Sequence, residues 1–316
     1  MKVIDCHIHL GGSNYTDLFP KYNSTVERYL AAVGKLNDVE VEKAVGFSNP
    51  VPYLAETKDY FNKSDYYSEK NREIGRKCMQ YDNFLFAVSV NPESSFSRDE
   101  IERCVSQYNA RAVKVHLGAN KVGPGELEKK GIIGSAEKHN IPIILHGSLN
   151  YSDKLERVIS NNRNVNFVIA HLGFLEKNYV SIVMNNKNAF FDTSALTSKN
   201  FMKQVFFIKA FTNICPDAGH FTIHPFFNEL INVGINYEEY IKIYRNNPDE
   251  LFNYCSMDLK AVFEKYVEKI GSNKLLFGSD ESWDSIGRQI NFIDSSDLSR
   301  NDKNNIFYNN SRRIFF

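Results

Sequence analysis

Two histidines near the start of the chain, His7 and His9, stand one residue apart in an apolar, β-branched segment, residues 3–10. Alternate side chains of a β-strand point to the same face, so the two imidazoles are expected to share a face. Two imidazole nitrogens on one face can bind a borderline metal ion such as zinc. The same pair could instead form hydrogen bonds inside a core, and the spacing alone does not decide between these interpretations. Cys6 lies between them and is predicted to face the opposite side of the strand, packed rather than bound to metal.

Further polar side chains stand at the ends of later apolar segments, and they are Lys114, His116, His146, His171 and Asp280. In a parallel barrel the carboxyl ends of the strands meet at one mouth. Burying this many polar groups without partners would be costly. We therefore expect these residues to share one site that holds a metal ion or a substrate.

The segments that carry these residues have the length and composition of strands. Strands are predicted over residues 3–10, 42–47, 84–90, 112–117, 142–146, 165–171, 189–194 and 274–280. Helices are predicted over residues 25–36, 68–78, 99–108, 126–139, 152–159, 175–185 and 259–270, with Thr25 as an N-cap and a glycine-rich loop over residues 118–125. Alternating strands and helices indicate parallel βα units. Eight such units favour an α/β fold of the closed (β/α)8 type, the TIM barrel, over an open sheet.

The alternation is interrupted once, by a long aromatic insertion over residues 195–256 between the seventh and eighth strands. This insertion is predicted to be helical and to lie on the face where barrel loops carry function. We predict one barrel domain over residues 1–316, with the insertion as a subdomain or lid within it.

Composition limits the classes of function. The chain has 316 residues, with Lys+Arg 38 equal to Asp+Glu 38, so it has no excess charge for a nucleic-acid partner. A hydrophobic content of 42% fits a soluble globular protein, and no apolar run is long enough to span a membrane. Met1 and Lys2 lead directly into the first strand without a secretory signal. The five scattered cysteines suggest reduced thiols, which predicts a cytoplasmic protein.

The strand ends resemble, in order, those of the amidohydrolase superfamily. The matching segments are residues 5–9 (DCHIH), 113–116 (VKVH), 144–147 (ILHG), 169–173 (IAHLG), 191–195 (FDTSA) and 276–280 (LFGSD). Residues 309–315 (NNSRRIF) are similar to the C-terminal signature of one branch, the amidohydrolase-related (amidohydrolase 2) TIM-barrel metal-dependent hydrolases. The resemblance covers nearly the whole chain. It does not extend to substrate specificity, because the 195–256 insertion replaces a usually short connection.

This resemblance implies that His7, His9, His146 and Asp280 surround one divalent metal ion, with His171 beside it to polarise the substrate or a bound water. Three imidazoles and a carboxylate suit zinc, and also manganese or iron. Such an ion lowers the pKa of bound water to about 7. Asp280 could take the proton and pass it to the leaving group. Alternatively, Asp280 could cap a helix, but the alignment of residues 276–280 with the last strand end of the family favours a metal ligand.

Lys114 allows two interpretations. In two-metal members of the superfamily a carboxylated lysine on the fourth strand bridges the ions, and His146 and His171 would then bind the second ion. We favour one metal ion, with Lys114 as a cation that binds or polarises substrate. His116 is a candidate for substrate contact, and Trp283 and Arg288 could line the mouth, Arg288 facing a substrate carboxylate.

Three functions are compatible with these residues. The favoured prediction is a metal-dependent hydrolase in which activated water attacks an amide, ester or lactone. The alternative is a lyase, a metal-dependent non-oxidative decarboxylase of an aromatic or unsaturated carboxylic acid. A metal-stabilised barrel without turnover is disfavoured, because such a protein has no need of Asp280 beside an open metal position. The expected partner is a small-molecule substrate rather than nucleic acid or a membrane, and a homo-oligomer is possible.

Overall fold

Eight parallel strands in sequence order form the centre of the protein. The computed structural model describes residues 1–11, 25–49, 65–120, 122–147, 152–175, 177–197, 259–281 and 283–316. The strands are β1 (Lys2–Leu10), β2 (Glu40–Ser48), β3 (Phe84–Ser89), β4 (Ala112–His116), β5 (Ile143–His146), β6 (Phe167–Ile169), β7 (Ala189–Asp192) and β8 (Leu275–Leu276). Each strand therefore lies at one of the predicted places.

The sheet nearly closes on itself between β8 and β1. The amide of Asp280 donates a hydrogen bond to the carbonyl of His7 at 2.9 Å, and the amide of His9 donates to the carbonyl of Glu281 at 2.7 Å. Ile8 and Glu281 also form an isolated parallel bridge. These bonds continue the ladder beyond the end of the short strand β8, and they confirm the predicted α/β barrel of the TIM type.

Helices separate the strands along the chain. They are α1 (Val26–Val33), α2 (Asp65–Cys78), α3 (Ser97–Tyr108), α4 (Leu117–Asn120), α5 (Gly125–Lys129), α6 (Ile132–Lys138), α7 (Ser152–Asn161), α8 (Lys177–Asn185), α9 (Leu259–Ile270), α10 (Ile286–Asp294), α11 (Arg300–Asn304) and α12 (Asn310–Phe315). A π-helical turn, Asn305–Asn309, joins α11 to α12. Thr25 caps α1 as predicted, because its hydroxyl accepts a hydrogen bond from the amide of Arg28.

Several predicted boundaries were wrong. Strand β8, expected over residues 274–280, extends only over Leu275–Leu276, and β7 ends at Asp192 instead of residue 194. The single helix expected over residues 126–139 is two helices, because Gly131 between them has a φ of +68°. The loop expected over residues 118–125 begins with the short helix α4. Strand β6 ends at Ile169 instead of His171, because the backbone is left-handed from His171 to Phe174.

Two apolar clusters lie within the described part of the chain. The larger lies between the strands and the surrounding helices. The smaller takes residues from every strand and from α12, and it fills the inside of the barrel: Cys6, Val45, Phe47, Ala87, Ala112, Ile144, Val168, Phe190, Leu276, Ile314 and Phe315. Cys6 therefore faces inward, and the prediction that it faces away from His7 was wrong. The pairing of β1 with β2 shifts register between Asp5 and Ile8, and this irregularity breaks the simple alternation of faces.

The expected helical insertion over residues 195–256 lies, apart from residues 195–197, outside the residues that the structure describes. Within the part that is described, no helix has the length and apolar character needed to cross a membrane. Cys6, Cys78 and Cys104 are buried free thiols.

Candidate metal and active site

The polar ends of β1, β6 and β8 meet at the mouth of the barrel. His7, His171 and Asp280 each offer a ligand atom, and these atoms all lie within 4.8 Å of one another. All three side chains are buried, His7 completely. Buried nitrogen and carboxylate oxygen donors this close together form a donor set that suits a divalent transition metal ion.

The other predicted ligands adjoin this group. His9 Nε2 lies 3.1 Å from Asp280 Oδ1, and His146 Nδ1 lies 3.1 Å from His171 Nε2. The rings of His146 and His116 stack with their centroids 3.7 Å apart. The structure therefore brings together His7, His9, His146, His171 and Asp280.

Two buried atoms in this cluster have no hydrogen-bond partner among the residues that the structure describes. They are Asp280 Oδ1 and His9 Nδ1. Because a buried polar atom without a partner is costly, the carboxylate oxygen in particular is an acceptor that a bound cation would satisfy. The residues present thus fit a divalent metal ion.

Lys114, in the middle of β4, places a cation beside the group. Its Nζ lies 3.4 Å from His7 Nε2 and 4.4 Å from the centroid of the Phe47 ring. Burial lowers the pKa of Lys114 to about 8, although the charges of Asp192 and Asp280 act in the opposite direction.

Charges in the cluster are set by burial and by contacts between imidazoles and carboxylates. Burial lowers the pKa of His9 to about 4, and burial also lowers the pKa of His146 and His171. Burial would raise the pKa of Asp280, but the adjacent imidazoles of His7 and His9 outweigh this effect and hold that pKa well below its usual range. The neutral forms of His9, His146 and His171 and the ionised form of Asp280 are the forms that bind metal.

Asp192 and Ser194, at the end of β7, are site residues to which the sequence analysis gave no role. Asp192 Oδ2 lies 2.7 Å from His7 Nδ1, and Asp192 Oδ1 accepts a hydrogen bond from the amide of His171 at 2.9 Å. The hydroxyl of Ser194 lies 2.9 Å from His171 Nδ1. Asp192 ends an apolar strand in the same way as the other site residues, so the same pattern could have identified it.

Asp5 joins the two strands at the seam of the barrel. It is fully buried, and its carboxylate accepts hydrogen bonds from the Ser279 amide at 2.9 Å and the His7 amide at 3.2 Å, as well as from the Tyr29 hydroxyl at 2.9 Å. Burial raises the pKa of Asp5 to about 6, against the effect of these hydrogen bonds. Asp5 thereby ties the backbone that carries His7 to the residue that precedes Asp280.

The backbone turns left-handed immediately after β6 and again at the ends of the β7 and β8 segments. His171, Ala195 and Asp280 have φ values of 58°, 62° and 59°. This conformation costs a non-glycine residue about 1–2 kcal/mol. Backbone of this kind is concentrated at functional sites, where the surrounding structure maintains it.

The remaining predicted residues lie near the mouth with partners of their own. The Trp283 ring is 6.5 Å from that of His9, and its Nε1 donates to Asn49 Oδ1 at 3.0 Å. Arg288 has a side chain that is 59% exposed and pairs with Asp284 at 2.8 Å. The helix after β8 begins only at Ile286, with Ser285 as its N-cap residue, so Asp280 does not cap it.

The sequence from residue 4 to residue 316 matches the family model described as amidohydrolase. The chain belongs to the amidohydrolase family. No curated protein matches it in a sequence comparison.

Solved structures share the fold over the full length. A 2,6-dihydroxybenzoate decarboxylase complexed with 2,6-dihydroxybenzoate has a TM-score of 0.62 at 12% identity, covering 100% of this chain and 99% of its own. A 5-carboxyvanillate decarboxylase from Sphingomonas paucimobilis has a TM-score of 0.55 at 12% identity, covering 99% and 98%. A dihydroxybenzoic acid decarboxylase from Polaromonas sp. JS666, with bound manganese and 2-nitroresorcinol, has a TM-score of 0.60 at 11% identity, covering 99% and 96%. At these identities the likeness establishes the barrel fold alone.

Proposed function

We propose that this protein is a divalent-metal-dependent enzyme that acts on a small molecule at the mouth of the barrel. The observation that carries the proposal is the group of His7, His171 and Asp280, whose ligand atoms lie within 4.8 Å of one another in a buried site. His9 and His146 adjoin this group and would complete the ligand set. Zinc suits these donors, and the manganese bound to the Polaromonas enzyme makes manganese a second candidate.

The bound ion would polarise a substrate oxygen and lower the pKa of a water molecule. The chain supplies the other functions. Asp280 is a carboxylate that can accept a proton at the ion and return it to a leaving group. Lys114 adds a buried positive charge 3.4 Å from His7 Nε2, where it can orient a carbonyl or carboxylate group of the substrate.

Our first candidate reaction is hydrolysis of an amide, ester or lactone. Water attacks the carbonyl carbon, Asp280 takes the proton from the water, and the carbon–nitrogen or carbon–oxygen bond breaks as the leaving group receives that proton. The family to which the chain belongs and the carboxylate within the proposed ligand group support this reaction.

The second candidate is non-oxidative decarboxylation of an aromatic or unsaturated carboxylic acid. It is favoured by the decarboxylases that share this fold. In this reaction the carbon–carbon bond to the carboxylate breaks, carbon dioxide leaves, and a proton is delivered to the remaining carbon. That proton comes from solvent, and Asp280 would take it up and pass it to the carbon.

One experiment separates the two reactions. Zinc- and manganese-loaded protein is incubated in ¹⁸O-labelled water with a panel of lactones, esters and amides and with a panel of aromatic carboxylic acids. Label in a product acid indicates hydrolysis, whereas carbon dioxide release without incorporation of label indicates decarboxylation. Asp280→Asn is the matched inactive variant. A metal ion whose coordination positions are all filled by protein, with no turnover of any compound, would contradict the proposal and indicate a structural metal.

A further inference from the structure

We infer that Asp192 and Ser194 are positioning residues that keep a proton on Nδ1 of both His7 and His171, so that both rings present Nε2 to a metal ion. Only the identity of the ligand rests on the proposed function. The position of each proton follows from which atoms in this buried group can donate a hydrogen bond and which can only accept one.

The hydroxyl of Ser194 donates its single proton to Asp192 Oδ1 at 2.5 Å. Because a hydroxyl has only one proton, the contact of 2.9 Å between the same oxygen and His171 Nδ1 must be donated by the ring. The carbonyl oxygen of Ser194, 3.2 Å from the same nitrogen, can also only accept. Both atoms therefore require a proton on His171 Nδ1.

His7 also has an acceptor beside its Nδ1. Its Nδ1 lies 2.7 Å from Asp192 Oδ2, and an ionised carboxylate only accepts hydrogen bonds. The proton therefore stays on Nδ1 whether the ring is neutral or charged, and only Nε2 can lose a proton. That nitrogen lies 3.3 Å from Asp280 Oδ1, on the side of the ring where the proposed ligands meet.

The glycine at position 278 allows this contact between His7 and Asp192. His7 is on β1 and Asp192 is on β7, with the β8 segment between them. At Gly278 in that segment, a Cβ atom would lie 2.8 Å from His7 Cβ and 3.1 Å from Ser194 Cβ. The absence of a side chain at this position lets the imidazole reach the end of β7.

The variant Asp192→Asn gives a sharp test. Asp192 Oδ1 accepts from three donors, which are the amides of His171 and Ser194 and the Ser194 hydroxyl. The amide oxygen of asparagine would take this place, so its NH₂ group would face His7 Nδ1. Two donors cannot face each other, so His7 should move its proton to Nε2, the nitrogen that would bind the metal.

The measurement is long-range ¹H–¹⁵N nuclear magnetic resonance of histidine-labelled protein, recorded with and without zinc, which identifies the protonated nitrogen of each ring. The chain has only 8 histidines, and single substitutions can assign them. We expect Nδ1–H on His7 and His171 in the zinc-loaded, unsubstituted protein. In zinc-free Asp192→Asn we expect Nε2–H on His7 alone, and the zinc dissociation constant of this variant should be about 10- to 100-fold higher.

Asp302→Asn is the matched control. It makes the same substitution in a carboxylate that accepts hydrogen bonds from Ser272 and Ser299, away from the barrel mouth, and it should leave every ring unchanged. A proton on Nε2 of His7 in the unsubstituted protein, or an unchanged His7 in Asp192→Asn, would overturn the inference. If Asp192→Asn does not fold, the spectrum of the unsubstituted protein still decides. If both rings carry the Nδ1 proton but the protein turns over no compound, the proposed function is contradicted and the inference about the protons is not.

Discussion

Asp280 has the most direct role in the proposed metal centre, because its Oδ1 lies 3.1 Å from His9 Nε2 and 3.3 Å from His7 Nε2. Asp280→Asn removes the negative charge with little change of shape. We expect the dissociation constant for zinc or manganese to rise by more than about 100-fold, since loss of a ligand should exceed the effect of changing an outer-shell residue. Isothermal titration calorimetry measures this change.

Glu281→Gln is the neighbouring control. Glu281 accepts a hydrogen bond from the amide of Ile286 and takes no part in the proposed ligand group, so the same carboxylate-to-amide change should leave metal affinity unaltered. Equal losses in both variants would show that charge at the mouth, rather than coordination by Asp280, determines affinity.

Site residues could be predicted from the sequence where a polar residue stands at the end of an apolar strand. His7, His146 and Asp280 are polar ends of apolar strands, and knowing that parallel strand ends converge is enough to group them. The hydrogen-bond partners of the His7 and His171 imidazoles were not predictable. They depend on the register shift in β1, which turns Cys6 inward, and on the space at Gly278. Neither feature follows from residue type.

At the scale of single elements, the turn after β6 leaves no space for a side chain at Gly173. Gly173 has a φ of +58°, and a Cβ there would lie 2.6 Å from Tyr179 Cβ and 2.8 Å from Phe191 Cε1. We expect Gly173→Ala to lower the free energy of unfolding by about 2–4 kcal/mol, because left-handed strain and overpacking add. Urea denaturation measures this loss.

Gly134 is the matched glycine, inside α6 with nothing within 4 Å of the added Cβ. Gly134→Ala should raise the free energy of unfolding by up to about 1 kcal/mol through helix propensity. If Gly134→Ala lowers the free energy of unfolding as much as Gly173→Ala does, the space around the two glycines and their backbone conformations are not as described.

Element boundaries show which signals the sequence carries. Strand positions follow from apolar, β-branched runs and were predicted at all eight places. Helix continuity depends on single backbone angles, and Gly131 ends one helix where periodicity alone predicts its continuation. The left-handed turn at His171 is maintained by tertiary contacts, including the bond from its amide to Asp192, which no local pattern reports.

A buried carboxylate connects α2, α3 and β3. Glu100 accepts hydrogen bonds from Arg103 Nη2 at 2.6 Å and from Asn71 Nδ2 at 2.9 Å, and Asn71 also binds the backbone of Ser89. Burial acts to raise the pKa of Glu100, but the hydrogen bonds from Arg103 and Asn71 lower it overall. The ionised form therefore stabilises the fold above the ordinary glutamate pKa, and this contribution is lost as the pH falls through the lowered value.

We expect Glu100→Gln to reduce the free energy of unfolding by about 1–2 kcal/mol at neutral pH, with the difference from the unsubstituted protein shrinking below the ordinary glutamate pKa. Urea denaturation across a pH series measures it. Glu73→Gln breaks an exposed pair with Lys70 and should change stability by less than about 0.5 kcal/mol at any pH. If the loss of unfolding free energy in Glu100→Gln is the same in acid as at neutral pH, the stabilising role assigned to the ionised carboxylate is contradicted.

At the scale of the whole molecule, the proposed metal centre spans the seam where the barrel closes. His7 belongs to β1, whereas Asp280 follows β8, a strand with only 2 residues in the ladder. An ion held by both would connect the first and last strands. At a free metal concentration 100 times the dissociation constant it would stabilise the fold by about 2.7 kcal/mol.

For a chain of 316 residues, this stabilisation corresponds to a rise in melting temperature of about 4 °C. Differential scanning calorimetry of protein with added zinc and with a chelator measures the shift. Asp280→Asn should show little shift, and an equal shift in that variant would place the stabilising ion elsewhere.

Metal binding should also tighten the seam more than the rest of the barrel. The amides of His9 and Asp280 form the hydrogen bonds that join β1 to the β8 segment, and local opening there exposes both to exchange. An ion bound by His7 and Asp280 opposes that opening, so hydrogen–deuterium exchange should slow in peptides that cover β1 and residues 275–281. Strand β3 contributes no residue to the proposed ligand group and serves as the internal reference. Equal slowing in β3 would indicate that the ion stabilises the barrel as one unit, without a particular role at its closure.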